Sequence, residues 1–349
     1  MQENFDQIKA KIEKILEAQL PEKPDEKWLL ETFGLACSPA REGLDGLLLP
    51  TRSLVAQGGK RWRPLFMVLC AMMATDDEQK IQAAYDLCPL LEFVHTASLI
   101  HDDIEDKADE RRGAPCAYIT YGLDTALNAG ALLYFKAASC IKAAALGDDK
   151  KLLCHELYET ELRRLHLGQA MDIAWHRAPD IFPTVDQYKQ MVQLKTGTLS
   201  CMAARLGFLA AGADQSLIHK AGLVAAGIGM GFQVLDDVQN LTSGNPGKKR
   251  GDDIIEGKKS LPVLLHVQEN PKDKEKLAAL FARAAQEGIQ SPAVEEAIAL
   301  LQSSGSIQKA YEFGNACAKE KALELTSLLR DNGSGAARMV LDLFAKIQR

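Results

Sequence analysis

Two apolar stretches that end in paired carboxylates decide the fold: residues 95–106, HTASLIHDDIED, and residues 229–240, GMGFQVLDDVQN. In each stretch a third oxygen-bearing side chain, Asp106 or Asn240, follows the first aspartate by four residues. Side chains at that spacing lie on one face of a helix, one turn apart, and like charges there repel each other. The pattern predicts two buried helices, each ending in an acidic face that a cation would stabilise.

The rest of the chain shows the same periodicity, in helical segments of roughly 15–25 residues separated by short breaks rich in Gly, Pro and Asp. Residues 78–105 and 184–211 are each predicted as one helix, and residues 109–115 and 243–253 as breaks. Strand-type alternation is scarce and aromatic residues make up only 6%, which favours helix over sheet. We predict an all-α protein with residues 1–349 in a single domain, because no linker marks a boundary.

Composition excludes several classes of protein. With 349 residues, 47% hydrophobic and 25% charged, the chain is neither disordered nor a small disulfide scaffold. A net charge of −6 argues against a general nucleic-acid partner. The eight cysteines show no C-x-x-C spacing and are typical of a reducing compartment. Neither a signal peptide nor an apolar run long enough to span a membrane is visible, so we expect a cytoplasmic protein.

The acidic clusters are candidate metal sites. Oxygen donors without His or Cys suit Mg²⁺, which proteins usually share with substrate phosphates. The first cluster alone could equally be a solvated helix end, but the second cluster at the same spacing favours a metal and a phosphorylated substrate. The candidate ligands are Asp102, Asp103, Asp106, Asp236, Asp237 and Asn240.

Basic residues accompany both clusters and could hold two diphosphates. Residues 58–64, GGKRWRP, put three cations beside a flexible turn, and Arg111 and Arg112 follow the first cluster. Lys195 lies inside an apolar segment, where a cation needs a partner. His95, two turns before Asp102, is either a core histidine or a diphosphate donor. Further cations flank the loop after the second cluster, at Lys248, Lys249, Arg250, Lys258 and Lys259.

These motifs together resemble the trans-isoprenyl diphosphate synthases, or polyprenyl synthetases, and most of all the geranylgeranyl diphosphate synthases. The matches extend from residue 58 to residue 262 in the family's order: GGKRWRP, HTASLIHDDIED, RRGAP, GQAMD, KTG, GFQVLDDVQN and GKKRGDDIIEGKKSLP. The resemblance implies an isoprenoid synthase-type helical bundle around a central cavity, with the acidic motifs on opposite walls. It also implies a homodimer and about three Mg²⁺ per active site.

The resemblance also implies a role for each matching residue. Asp102, Asp106 and Asp236 would be the chief Mg²⁺ ligands, supported by Asp103 and Asp237. Asn240 stands where an aspartate is common and keeps an oxygen but loses a charge. The allylic diphosphate would be held by Arg111, Lys195, Lys249 and Lys258. Isopentenyl diphosphate would be held by Lys60, Arg63, His95 and Arg112. Oxygen dipoles would be directed at the allylic cation by Thr196 and Gln233.

The reaction implied is ionisation of an allylic diphosphate (dimethylallyl, geranyl or farnesyl), attack by isopentenyl diphosphate, and loss of a proton. The growing prenyl chain would enter an apolar shaft between helices. Small side chains at Ala97 and Ser98 predict that this shaft is open above the first cluster. Tyr134 and Phe135 are candidates for its floor, the closed end that limits product length. We therefore expect a C20 product, with C25 or longer as the alternative and C15 less favoured. A terpene cyclase and a non-catalytic synthase subunit are the rivals from other classes.

Overall fold

The computed structural model describes residues 4–35, 39–244, 249–329 and 335–347, and for Ile347 only the main chain. Within these ranges the all-α prediction is confirmed. The helices are α1 (Phe5–Gln19), α2 (Glu26–Phe33), α3 (Arg41–Ala56), α4 (Trp62–Ala74), α5 (Glu78–Asp86), α6 (Cys88–Glu105), α7 (Ala117–Tyr121), α8 (Leu123–Ala143), α9 (Asp148–His176), α10 (Val185–Val192), α11 (Thr198–Ala211), α12 (Gln215–Thr242), α13 (Asp252–Glu256), α14 (Leu261–Glu269), α15 (Lys274–Glu287), α16 (Pro292–Ser303), α17 (Ser306–Ser327) and α18 (Gly335–Ile347).

Three short elements complete the described chain. A single π-helical turn spans Gln193–Gly197, between α10 and α11, and a 3₁₀ turn spans Pro271–Asp273. Strands β1 (Glu110–Arg111) and β2 (Ala114–Pro115) pair antiparallel as a hairpin after α6.

The chain divides into two compact units. The first comprises Met1–Thr160, Met202–Gly222 and Thr326–Leu343, and the second comprises Glu161–Cys201, Leu223–Leu325 and Phe344–Arg349. Each unit draws on segments that are distant in sequence, so no simple linker separates them. The single-domain assignment stays a prediction.

Helix α6 is the core helix of the first unit. Its apolar side chains from Leu90 to Ala97 are buried, and it packs along α8. The two helices approach closely at Gly130, where an added methyl group would lie 2.8 Å from Nε2 of His101. Each large apolar side chain that is fully buried contributes about 1.5–3 kcal/mol, so packing holds α6 in place up to its acidic end.

Helix α12 has the corresponding place in the second unit. Val234 and Leu241 on α12 are buried in a core that also contains Leu264 of α14, Phe281 of α15 and Ile298 of α16. By length and composition α12 could cross a membrane, since one stretch of it has a mean hydropathy of 1.3. However, 61% of that stretch is buried inside the protein, which indicates a core helix.

Two of the predicted helices are interrupted in the structure. Residues 78–105 are split at Leu87, because Pro89 has no amide hydrogen with which to continue the ladder of α5. Residues 184–211 are interrupted by the π-turn. The predicted break 109–115 contains the β1–β2 hairpin, and the predicted break 243–253 contains the start of α13.

Candidate active site

The aspartates at the end of α6 are of two kinds. Asp102 and Asp106 are partly exposed, whereas Asp103 is buried. The Asp103 carboxylate accepts a 2.8 Å hydrogen bond from Nε of Arg111 and forms an ion pair with that guanidinium. Burial raises the pKa of Asp103, although Arg111 acts in the opposite direction. A ligand can therefore reach Asp102 and Asp106, while Asp103 holds Arg111.

Arg111 lies in the β1–β2 hairpin, and Arg112 lies in its turn. Arg112 and Gly113 have φ angles of 55° and 79°, and two positive values in a two-residue turn match the twist of the strands. The Arg112 guanidinium donates to the main-chain oxygens of Leu54, at 3.2 Å, and of Gly58. The hairpin thus connects the acidic end of α6 with the glycine loop, residues 57–61, that precedes α4.

That glycine loop is anchored by Arg61, which has a left-handed φ of 47° and is only 3% exposed. Its Nε lies 2.9 Å from Oε1 of Glu13, and its Nη1 lies 2.5 Å from Oε1 of Glu92. Burial acts to lower the pKa of Arg61, but the two carboxylates outweigh it and raise that pKa. The sequence interpretation counted Arg61 among the cations of the flexible turn and missed this anchoring role. The signal was Glu92, a carboxylate inside the apolar run of α6.

The cations on either side of Arg61 are placed differently. Lys60 is exposed and Arg63 is partly buried, and Nη1 of Arg63 lies 3.3 Å from Nε2 of His95. Burial lowers the pKa of His95 well below its ordinary value, and Arg63 acts in the same direction. The imidazole is therefore neutral at pH 7 and can donate from one ring nitrogen while it accepts at the other.

The second acidic cluster repeats the division seen at the end of α6. Asp236 is exposed and Asp237 is buried. Asp237 accepts hydrogen bonds from the Tyr188 hydroxyl at 2.5 Å and from Nε2 of Gln233 at 3.0 Å. Burial raises the pKa of Asp237 to about 6, against the effect of both donors. Oε1 of Gln233 in turn accepts from the Thr196 hydroxyl at 2.8 Å, which links Thr196 to the acidic cluster.

Lys195 has the partner that its apolar surroundings require. Its Nζ lies 2.7 Å from Oδ2 of Asp172 on α9. Burial acts to raise the pKa of Asp172, but Lys195 and Lys258 outweigh it, and that pKa is lowered. Asp172 is the last residue of the GQAMD motif, whose sequence alone did not predict this ion pair.

The segment after α12 carries the remaining predicted cations. Lys249 is exposed, and Lys258 lies 2.5 Å from Oε2 of Glu256 and 3.8 Å from Oδ1 of Asp253. Asn240, a predicted metal ligand, is fully buried, and its Oδ1 accepts a 3.2 Å hydrogen bond from the amide of Asp253. Lys248 lies outside the described residues.

The predicted chain-length residues lie on α6 and α8. Ala97 is fully buried, and Ser98, which donates to the main-chain oxygen of His95, is partly buried. Tyr134 is buried, whereas Phe135 is 79% exposed. Of the two rings predicted as a floor, only Tyr134 lies within the packing of its own unit.

Oxygen donors dominate both clusters. Over the described residues, no three His, Cys, Asp or Glu side chains converge to hold a metal ion by themselves. A metal bound at either cluster would therefore need further oxygen donors from water or from a ligand.

Residues 46–301 match the family model described as polyprenyl synthetase. The chain belongs to the polyprenyl synthetase family. It is therefore a prenyltransferase of the prenyl diphosphate synthase type. The Arg61 anchor, the β1–β2 hairpin and the Thr196–Gln233–Asp237 chain are thus features of a polyprenyl synthetase.

Three similar proteins illustrate the range of products in this family. A short chain isoprenyl diphosphate synthase of Methanocaldococcus jannaschii is 33% identical over 265 residues, which cover 74% of this chain and 77% of the relative. A geranylfarnesyl diphosphate synthase of Natronomonas pharaonis is 31% identical over 278 residues, which cover 75% of this chain and 78% of the relative. The crystal structure of geranylgeranyl pyrophosphate synthetase from Pyrococcus horikoshii matches with a TM-score of 0.79 and 29% identity, covering 99% of both chains.

Proposed function

We propose that this polyprenyl synthetase condenses isopentenyl diphosphate with an allylic diphosphate and releases a trans-prenyl diphosphate, with C20 geranylgeranyl diphosphate as the main product. The observation that carries the proposal is the shared division of the two acidic helix ends. In each, one aspartate (Asp103 or Asp237) is buried and hydrogen-bonded, while its neighbour is accessible: Asp102 is partly exposed and Asp236 is exposed. Such an arrangement leaves one carboxylate accessible to a ligand beside a neighbouring carboxylate that is fixed by hydrogen bonds.

The donor chemistry of both clusters fits Mg²⁺. Carboxylate oxygens that are accessible and backed by held neighbours suit a cation that keeps several water or phosphate oxygens. Asp102, Asp106 and Asp236 would hold the ions, with Asp103 and Asp237 as supports, whereas the buried side-chain oxygen of Asn240, the sixth predicted ligand, already accepts a hydrogen bond from the amide of Asp253. When bound, Mg²⁺ supplies positive charge that makes the diphosphate a better leaving group.

The allylic diphosphate is assigned to Arg111, Lys195, Lys249 and Lys258. Arg111 and Lys195 are held by Asp103 and Asp172, so their cationic groups need little reorganisation as charge develops on the leaving group. The Thr196 hydroxyl donates to Gln233, which leaves its oxygen lone pairs to face positive charge on the allylic carbon.

Isopentenyl diphosphate is assigned to Lys60, Arg63, His95 and Arg112. Arg112 is fixed by the main-chain oxygens of Leu54 and Gly58, and neutral His95 contributes a directional donor beside Arg63. Holding the double bond next to the allylic carbon converts a bimolecular attack into an effectively unimolecular one. The proton that is lost goes to the departing diphosphate.

Diphosphate release measured with and without isopentenyl diphosphate tests this function. A synthase releases inorganic diphosphate from dimethylallyl diphosphate rapidly only when isopentenyl diphosphate is present. Release without the second substrate would indicate a terpene cyclase, and no release would indicate a non-catalytic subunit. The proposed second diphosphate site, which a cyclase does not need, favours the synthase.

The product length is proposed from the small side chains Ala97 and Ser98 on α6. Because neither places a ring one turn before Asp102, we propose a chain longer than C15, with buried Tyr134 on α8 as the proposed floor. Longer products of C25 and above are the alternative if Tyr134 does not block the chain.

A homodimer and a cytoplasmic location are also proposed. Leu123, Leu127 and Phe135 are exposed on one face of α8 at four- and eight-residue spacing, and an apolar face of this kind marks a protein–protein contact. Among the described residues no cysteine forms a disulfide, as suits a reducing compartment.

A further inference from the structure

The π-turn Gln193–Gly197 carries Lys195 and Thr196, two residues of the proposed site. A π-turn inserts an extra residue into a helix and is marginal unless neighbouring structure holds it, and such turns are frequent at functional sites. This turn therefore depends on its contacts with the neighbouring helices.

Helix α9 contacts one side of the turn through its backbone at Gly168. A methyl group at Gly168 would lie 2.3 Å from the main-chain nitrogen of Lys195 and 2.8 Å from the carbonyl carbon of Leu194. Both are main-chain atoms, so no flexible side chain could move aside. Only glycine allows α9 to approach the π-turn this closely.

Helix α12 contacts the turn in the same way. A methyl group at Gly229 would lie 2.9 Å from Cα of Gly197 and 2.6 Å from the hydroxyl oxygen of Ser200. A methyl group at Gly197 would lie 2.9 Å from the main-chain oxygen of Ala226. The π-turn is thus in backbone contact with both α9 and α12.

Each flanking helix also provides a polar partner one turn beyond its glycine. Asp172 follows Gly168 by four residues and accepts from Lys195 at 2.7 Å. Gln233 follows Gly229 by four residues and accepts from the Thr196 hydroxyl at 2.8 Å. Residues four apart lie on the same helix face. On each helix, the glycine that contacts the π-turn and the residue that accepts the hydrogen bond therefore face the turn together.

We infer that Gly168 and Gly229 are positioning residues, which set the distance and register at which Lys195 and Thr196 meet Asp172 and Gln233. A side chain at either glycine would push the π-turn away from that helix and lengthen the corresponding polar bond. The consequence for turnover rests on the proposed function, whereas the geometric effect does not.

The geometric effect is measured in substrate-free protein by lysine acetylation with acetic anhydride, followed by mass spectrometry of each lysine. We expect Gly168→Ala to raise the rate at Lys195 about tenfold, because a charge-assisted hydrogen bond to Asp172 is lost. The matched control is Gly207→Ala, whose methyl group would lie 2.3 Å from the main-chain oxygen of Met67. It has the same steric conflict away from the π-turn and should leave Lys195 unchanged. Equal Lys195 rates in the two variants would overturn the inference.

The kinetic effect is measured on the same proteins below their unfolding temperatures. For Gly168→Ala we expect kcat/KM for the allylic diphosphate to fall by about 100-fold, with KM for isopentenyl diphosphate unchanged. Faster acetylation with unchanged kinetics would support the positioning role and refute the assignment of Lys195 to the allylic diphosphate. If Gly168→Ala changes the KM values for both substrates, and Gly207→Ala shows the same changes, the cause is general destabilisation and the inference is overturned.

A second pair of variants keeps the test decisive if Gly168→Ala does not fold. Gly229→Ala is compared with Gly227→Ala on the same helix, whose methyl group would lie nearest to the flexible side chain of Lys321, 2.9 Å from its Cγ. We expect faster amide exchange within residues 193–200 and lower kcat in Gly229→Ala, with neither change in Gly227→Ala. The same exchange pattern in both variants would overturn the role of Gly229.

Discussion

Nη1 of Arg61 lies 2.5 Å from Oε1 of Glu92, and both side chains are almost fully buried. The pair ties the loop before α4 to the middle of α6, between the two exposed or partly exposed cations Lys60 and Arg63. An arginine in the middle of a basic motif thus stabilises the fold, while its neighbours Lys60 and Arg63 remain the proposed ligand-binding residues.

Arg61→Ala should lower the free energy of unfolding by about 3–5 kcal/mol, because it leaves the Glu92 carboxylate buried without its cation. The matched variant Lys60→Ala removes an exposed cation and should change the free energy of unfolding by no more than about 0.5 kcal/mol. Lys60→Ala should instead raise KM for isopentenyl diphosphate. Denaturant unfolding and steady-state kinetics measure both effects. Equal stability of the two variants would contradict the anchoring role of Arg61.

Asp102→Ala should reduce kcat by at least about 100-fold and leave the unfolding temperature unchanged or raised. The substitution removes a proposed metal ligand and relieves repulsion with Asp106. Asp103→Ala is the informative comparison, since it removes the partner of Arg111 and should lower both stability and kcat. Kinetics over a range of Mg²⁺ concentrations, together with thermal unfolding, separate the two. Near-normal turnover in Asp102→Ala would remove Asp102 from the metal site.

Ala97→Phe should shorten the main product from C20 to C15, because an aromatic ring would stand in the proposed path of the growing chain. Overpacking a fully buried position costs about 1–3 kcal/mol, so the assay is run at low temperature. Ser98→Ala, which keeps a small side chain, should leave the product unchanged. Thin-layer chromatography with labelled isopentenyl diphosphate measures chain length, and a C20 product from Ala97→Phe would place the limit elsewhere.

The stability of the protein should depend on the charge of Lys259, whose Nζ donates to the main-chain oxygen of Gly257 at 2.8 Å. Burial lowers the pKa of Lys259 from 10.5 to about 8. Between these two values the unfolded chain binds more protons than the folded protein, so stability rises with pH across that window. Relative to Lys259→Met, the wild type should gain up to about 3 kcal/mol between pH 8 and 10.5. A difference between the two proteins that does not vary with pH would show that Lys259 titrates normally.

Phe135→Glu should convert the proposed dimer to a monomer, because it places a charge in the exposed apolar face of α8. The control Leu323→Glu changes an exposed apolar residue on a different helix, α17, and should leave the dimer intact. Sedimentation velocity measures the mass of both variants. A wild-type protein that sediments as a monomer would end the dimer proposal.

Much of the site was visible in the sequence because its chemistry is local. Asp102 and Asp106 share a helix face by their spacing alone, and the lone cation Lys195 indicated a partner before Asp172 was located. The helical class followed equally from periodicity. The contacts that were not predicted join residues that are distant along the chain: Glu13 and Glu92 with Arg61, and Tyr188 with Asp237.

The two acidic motifs, the basic residues near them and membership of an all-α family were determined by the sequence itself, since residue type and spacing fix which groups share a helix face. Only the tertiary structure decided which aspartate of each pair is buried and which can meet a ligand. It also decided that Arg61 is an anchor, that Phe135 points outward from its unit, and that a π-turn carries Lys195. The reason is that burial and backbone approach depend on packing between helices, which local spacing does not encode.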